Sequence, residues 1–320
     1  MRLLSLYKYK KGFSGLINVV NEWELAANIE KKSSLNLLDY FSKKTYIIHG
    51  LHNKFLFIAL LLRLLGSKIY VMPHGQIAKG HKRSFPRKFY GLIVTLVLQF
   101  FDGIIFLGNR EFKDFSLRLS NKLKIIYTKN GVRESMIGQP RTQISSNPIT
   151  IGYIGRIDNT QKGLIDFISL ITKNSNLLKG KFRFYIYGPK SKDKIILKEM
   201  LKNSDIIQIM PAVSAEEKIK ILDSLDFGFM CSYFEGEPLF SLEAASRGLP
   251  VFSTKASNVK YPENISESFC ANNHEELFKL ILSSQFMTNQ QYFQYSQSTL
   301  NQVSSVTWKS ITTDLIKSLK

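Results

Sequence analysis

The sequence predicts an α/β protein made of two domains, each organised around a parallel sheet. Three observations carry that reading. Short β-branched or aromatic runs alternate with longer helical stretches, and each run ends in a Gly, His, Asn or Pro-Gly neighbourhood. The alternation then restarts after a polar, turn-rich stretch at 142–148. In the first half the runs at 2–7, 45–49, 68–72, 103–107 and 124–127 read as strands, with helices over 55–65 and 87–101. In the second half strands are expected at 149–154, 182–187, 206–209, 227–230 and 251–253. Helices fit between them at 163–171, 192–201, 215–225 and 241–247. Alternation of this kind argues for parallel sheets covered on both faces. The domains are placed at 1–145 and 146–304. In the tail, Trp308, Ile311, Leu315, Ile316 and Leu319 recur at helical spacing and predict a last packing helix.

Composition narrows the function classes. A chain of 320 residues with 44% hydrophobic content can bury two cores and is not a disordered protein. Two cysteines, Cys231 and Cys270, speak against a disulfide scaffold or a Cys-rich metal centre and favour a reducing compartment. The opening MRLLSLYKYKKGF turns basic after a short apolar run, unlike a secretory signal, so a cytoplasmic location is expected. Residues 91–107 approach the length of a membrane span. Gln99, Asp102 and Gly103 interrupt them, and a helix, a turn and a buried strand describe them better.

The charge is lopsided. Residues 1–150 carry 24 Lys and Arg against 8 Asp and Glu, whereas residues 151–320 carry 20 against 17. A basic half fits nucleic acid, an anionic membrane surface or phosphorylated small molecules. It also fits a merely solvated basic surface. Lys79, Lys82, Arg83, Arg87 and Lys88, with Phe85 and Phe89 among them, form the stretch best suited to anionic lipid.

Two stretches carry chemistry. In Gly152–Gly163 a strand runs into Gly155-Arg156, and Lys162-Gly163 opens a helix. Glycine admits a close ligand, a helix start favours negative charge, and Arg156 and Lys162 add two cations, a combination suited to a diphosphate. In the second stretch, Tyr233 to Pro250, Glu235 and Glu243 stand eight apart around Gly236-Glu237-Pro238. Proline is tolerated in a helix's first turn, so Pro238 marks a helix start with free N–H groups. Glu243, further in, suits a polyol, since a carboxylate accepts two hydroxyl hydrogen bonds. Taken singly, Glu235 could be a cap and Glu243 an ion-paired side chain. Their joint spacing, with the Glu-Ala-Ala-Ser-Arg-Gly-Leu-Pro ending, favours a site.

These residues resemble the retaining nucleotide-sugar glycosyltransferases of the GT-B fold, glycosyl transferases group 1. The likeness lies in Gly-Arg…Lys-Gly (155–163), the two glutamates at 235 and 243, and Asn130-Gly131-Val132. It extends to the His-bearing Pro73-His74-Gly75 and the tail from Trp308. The resemblance implies two Rossmann-like domains facing across a cleft, with a C-terminal crossover helix (305–320) completing the first. It implies that Arg156 and Lys162 hold the donor diphosphate, that Glu243 accepts ribose hydroxyls, and that Glu235 binds hydroxyls of the transferred sugar. Gly155, Gly236 and the backbone of Glu237, Pro238, Leu239 and Phe240 would meet the phosphate or sugar. Pro189, Met210, Pro211 and Val213 would wall the base, and His74 would reach the sugar. Gly12 and Gly15 resemble the family's phosphate-approaching loop, although Phe13-Ser14 separates them.

The expected reaction moves a sugar from a UDP- or GDP-sugar to a glycan or a lipid-diphosphate-linked saccharide in surface polysaccharide assembly (capsule, O-antigen or exopolysaccharide). The implied course is retaining. No Asp-x-Asp element is present, so neither a metal nor another cofactor is expected. The enzyme is expected at the inner membrane face, with no nucleic-acid partner. The other readings are a catalytically silent subunit of this fold, a nucleotide-sugar epimerase and a basic nucleic-acid-binding protein; the last lacks a recognisable binding motif. His49 and His52 follow a strand but make a poor metal site without acids nearby. His81 belongs to the basic stretch, His274 reads as a surface residue at a helix start, and Cys231 as a small buried residue.

Overall fold

The computed structural model describes residues 3–7, 15–27, 29–32, 34–51, 53–74, 93–115, 123–145 and 148–319. Gly12, His52, Lys79, His81, Lys82, Arg83, Arg87, Lys88 and the 87–92 portion of the expected helix lie outside the described residues. The chain divides into two compact units, Met1–Gly131 with Trp308–Lys320, and Val132–Thr307.

The first unit is a six-stranded parallel sheet in the order β2-β1-β3-β4-β5-β6. Its strands are β1 (Leu3–Tyr7), β2 (Glu30–Lys32), β3 (Thr45–His49), β4 (Lys68–Met72), β5 (Gly103–Leu107) and β6 (Lys124–Thr128). The helices are α1 (Gly15–Ala27), α2 (Leu37–Phe41), α3 (Asn53–Leu64), α4 (93–98) and α5 (Gly108–Asp114). β3 and β5 are buried throughout, the pattern of central parallel strands clothed on both faces. The chain runs from β1 outward to β2 and returns to β3 on β1's other side. The strand order therefore reverses between β1 and β3.

The last helix, α15 (Trp308–Leu319), packs on α1 and β6 within this unit and buries Trp308, Ile311, Leu315 and Leu319. Its carbonyl end is tied down by Lys124, whose Nζ donates to Ser318 O at 2.6 Å.

The second unit repeats the plan with the order β12-β11-β10-β7-β8-β9, all parallel. Its strands are β7 (Ile149–Ile154), β8 (Phe182–Tyr187), β9 (Ile207–Met210), β10 (Phe227–Met230), β11 (Val251–Thr254) and β12 (Cys270–Ala271). Helices α6 (Asn159–Lys162), α7 (Leu164–Lys173), α8 (Ser175–Leu178), α9 (Lys192–Met200) and α10 (Ala215–Ser224) precede β10 or flank it. After it come α11 (Leu239–Ser246), α12 (Ser266–Phe269), α13 (His274–Ser283) and α14 (Asn289–Val303). Phe167, Phe184, Phe227, Phe229 and Phe252 fill the core. The reversal here falls between β7 and β10.

The expected boundary after residue 145 lies inside the second unit. Arg141 explains this: its guanidinium donates to the carbonyls of Leu222, Leu225 and Arg247. Gly138 N donates to Ser246 O, and Ser145 N to Asp226 Oδ1, so the polar stretch is bound along the second unit rather than strung between domains. The unit closes where Val132 N meets Val306 O at 2.9 Å. No helix among the described residues is long and apolar enough to cross a membrane.

Candidate functional site

Ligands of open α/β sheets bind outside the carboxyl ends of the strands, where the order reverses. In the second unit that place is framed by the segments leaving β7 and β10. Gly155-Arg156 leaves β7, and Cys231 to Pro238 leaves β10. The two segments are laced together: Tyr233 N donates to Gln161 O at 2.8 Å, and Cys231 Sγ to Lys162 O at 3.1 Å.

Between them sits an ion pair that spacing did not announce. Lys162 Nζ binds Glu235 Oε1, and both side chains are largely buried. Ser232 Oγ donates to the same oxygen at 2.8 Å, and Gln161 Nε2 to Oε2 at 3.2 Å. The expected phosphate cation and the expected sugar-binding carboxylate are thus held against each other. Arg156 is 54% exposed, bonded to Asp158 and, at 2.5 Å, to Gln161 Oε1. Asp158 caps α6 by accepting from Gln161 N at 3.0 Å.

Gly163 ends α6 with φ +63, a left-handed conformation that glycine adopts at little cost. A Cβ there would come within 2.6 Å of Cys231 O, so only glycine lets the two segments approach this closely.

Pro238 stands at the cap of α11, as its tolerance of a helix's first turn suggests, and Ser241 Oγ returns to Pro238 O at 2.9 Å. Asn258, itself at φ +53, donates from Nδ2 to Gly236 O and so braces the turn before the helix. Helix α11 stops at Gly248 (φ +59), with Leu249 N returning to Ala244 O. Glu243, on α11, pairs with Lys218 of α10 at 2.6 Å. The two glutamates that the motif couples therefore have separate cations.

Pro189, Met210, Pro211 and Val213 follow β8 and β9. Their loops are joined by Lys194, a buried lysine on α9 whose Nζ donates at 2.5 Å to both Gly188 O and Met210 O. Burial among neutral acceptors lowers its pKa. Nothing in the sequence distinguished Lys194 from the other lysines of its helix.

His274 is not the surface residue expected. Its Nε2 lies 2.8 Å from Cys231 O, and its ring stacks on Tyr233 with 5.2 Å between centroids. Tyr233 donates to Asp166 at 2.5 Å, and burial beside that carboxylate raises its pKa to about 12. Cys231 is buried as expected, and burial pushes its thiol pKa up.

In the first unit, Gly15 is the first residue of α1, and His74 follows β4 in a left-handed conformation (φ +53). A non-glycine residue there marks a position constrained by its surroundings. His74 Nε2 is 2.8 Å from His49 Nδ1, and His49 Nε2 is 2.5 Å from Ser5 Oγ. Trp23 packs edge-on against His49 at 5.1 Å. Burial lowers the pKa of His74 to about 4, and holds His49 well below the usual histidine range with His74's charge adding to the effect. Both rings are neutral near pH 7. Because His49 ends β3, beside the reversal with β1, the register that aligns His49 with Met72 brings it to His74.

Residues 138–281 match the family glycosyl transferases group 1. No curated protein matches the chain by sequence. Among solved structures, Anabaena HepE in complex with UDP and glucose superposes with a TM-score of 0.76 at 13% identity, covering 100% of this chain and 99% of that one. Trehalose-6-phosphate synthase OtsA gives 0.75 at 13% identity, over 100% and 99%. Sucrose-phosphate synthase from Thermosynechococcus elongatus gives 0.64 at 13%, over 85% and 72%. The chain has the GT-B fold, and its residues 138–281 are similar to the glycosyl transferases group 1.

Proposed function

We propose that this protein transfers a hexose from a UDP- or GDP-sugar to a glycan or lipid-diphosphate-linked saccharide, with retention at the anomeric carbon and without a metal ion. The observation that supports this best is the convergence of Arg156, Lys162, Glu235 and the α11 start on the carboxyl ends of β7 and β10. As the bond from the anomeric carbon to the diphosphate breaks, negative charge grows on the leaving oxygen. Arg156, Lys162 and the N–H groups of α11's first turn, around Leu239 and Phe240, meet that charge. The acceptor hydroxyl adds on the same face, and its proton passes to the departing phosphate. Glu235, held by three donors, is a fixed acceptor for sugar hydroxyls rather than a nucleophile. Glu243 takes the ribose hydroxyls, and Lys194 holds the two loops that wall the base. The resemblance assigns the sugar to His74 as well, a neutral imidazole held by His49 in the first unit.

The complex of HepE with UDP and glucose puts uridine and glucose first among donors to test. The basic first half supports work at an anionic inner-membrane surface in polysaccharide assembly. A thermal-shift panel of UDP, GDP, ADP and CMP tests the donor site. A nucleotide at about one hundred times its Kd stabilises by about 2.7 kcal/mol. A selective shift with one diphosphate, lost in Glu243→Ala, is expected; no shift with any would remove the donor assignment. The anomeric configuration of the product, read by NMR, tests retention.

A further inference from the structure

Helices α3 and α4 lie on the first sheet, and their inward residues share one core. Phe55, Leu56, Ala59 and Leu62 of α3 meet Val94 and Leu98 of α4 there. Arg63 ties the pair, donating from Nε to Phe100 O at 3.1 Å and pairing with Asp102 at 3.3 Å. The outward faces ought to be polar, as on an ordinary surface helix. They are apolar instead. Phe57, Leu61 and Leu64 recur at i, i+4 and i+7 and are 64%, 37% and 74% exposed. Ile93 and Leu96 on α4, and Phe100 in the turn that follows it, are 45%, 53% and 61% exposed. Two neighbouring helix segments therefore present one apolar face to the outside, and a contiguous face of that kind marks an interaction surface.

Charge selects the occupant. Residues 51–100, which contain both helices, carry eight Lys and Arg and no Asp or Glu. A second copy of this chain would bring an equally basic segment, which opposes association. Nucleic acid would use the cations but has no use for outward Phe and Leu. An anionic bilayer uses both: apolar side chains enter the acyl boundary while Lys and Arg meet the headgroups.

We infer that the outer faces of α3 and α4 form a wedge by which this protein inserts shallowly into an anionic lipid surface. The inference deepens the membrane part of the function proposed above, and the wedge itself does not depend on the donor assignment.

The test is co-sedimentation of the full chain with vesicles of phosphatidylcholine alone or with phosphatidylglycerol. Binding is expected to the anionic vesicles and to be at least tenfold weaker to neutral ones. The Phe57→Gln, Leu96→Gln, Phe100→Gln triple variant should partition at least tenfold less, while its thermal unfolding and any nucleotide-induced shift match the parent. A Phe57→Trp variant should show a blue-shifted emission on anionic vesicles, quenched by lipids brominated near the headgroup end of the chain. Three results would overturn the wedge: no vesicle binding by the parent, undiminished binding by the triple variant, or a parental dimer in sedimentation that the triple variant dissociates. Vesicle binding that follows this pattern without any nucleotide shift would remove the donor assignment and leave the wedge standing.

Discussion

His49 Nδ1 and His74 Nε2 lie 2.8 Å apart, two rings from different strand ends joined in a chain that continues from His49 to Ser5. With both rings neutral, one proton lies on each bond of the chain. The tautomer of His74 is therefore coupled to that of His49, and its Nδ1 is directed away from His49.

Acid should weaken the fold through this pair. A histidine whose folded pKa is lowered binds its proton more readily when unfolded, so stability is full above about pH 6.5 and declines as pH falls toward the folded value. For His74, with a folded pKa of about 4, the loss reaches about 2 kcal/mol by pH 5. Urea unfolding at pH 7 and pH 5 should show at least that difference, and a His74→Gln variant should lose the share that His74 contributes while keeping that of His49. A parent protein equally stable at both values would contradict neutral rings.

Breaking the Lys162–Glu235 pair should harm fold and turnover separably. Lys162→Ala leaves a buried carboxylate with only Ser232 and Gln161, a loss of about 3–5 kcal/mol for an uncompensated buried charge. Removing both charges in Lys162→Met with Glu235→Gln should restore much of that stability. Turnover should stay down by two to three powers of ten, by analogy with losing one oxyanion donor. Denaturant melts and product assays on the three proteins check both parts.

Lys218 is expected to aim Glu243 at the ribose. With Lys218→Met the carboxylate loses its 2.6 Å partner and its fixed direction. UDP or GDP affinity should fall roughly tenfold, about 1.4 kcal/mol, while Glu243→Ala removes more. Calorimetric titration distinguishes this from the opposite outcome, tighter binding, in which Lys218 merely blocks the site.

Lys194→Met should loosen the loops after β8 and β9. The substitution strands the carbonyls of Gly188 and Met210 in a buried setting, costing about 2–4 kcal/mol. Nucleotide binding should weaken as well, although Lys194 needs no contact with the base. Hydrogen exchange at residues 188–191 and 210–213 should rise.

Much of the architecture is local and was legible. Gly103–Leu107 and Phe227–Met230 are apolar runs ended by turn residues, and both are buried strands. The elements that escaped notice lack that local contrast. β2 is Glu30-Lys31-Lys32, a charged edge strand defined only by pairing with β1. α14 is rich in Gln, Asn and Ser, and its usable signal was the capping box between Thr288 and Gln291. The opening of α1 at Gly15 reads, in the sequence alone, as part of a glycine loop.

By itself, the sequence determined two parallel-sheet halves and the segments that leave their strands, because periodicity and turn chemistry act over a few neighbouring residues. The tertiary structure alone decided which charges and rings meet. His49 and His74 are 25 residues apart, Lys162 and Glu235 are 73 apart, and Lys218 and Glu243 are 25 apart. Lys194 could be told from its neighbours only once α9 packed against the sheet and turned it toward two carbonyls. Strand order and register bring such groups within hydrogen-bond reach, and burial then sets their charge states, neither of which a residue's neighbours along the chain can specify.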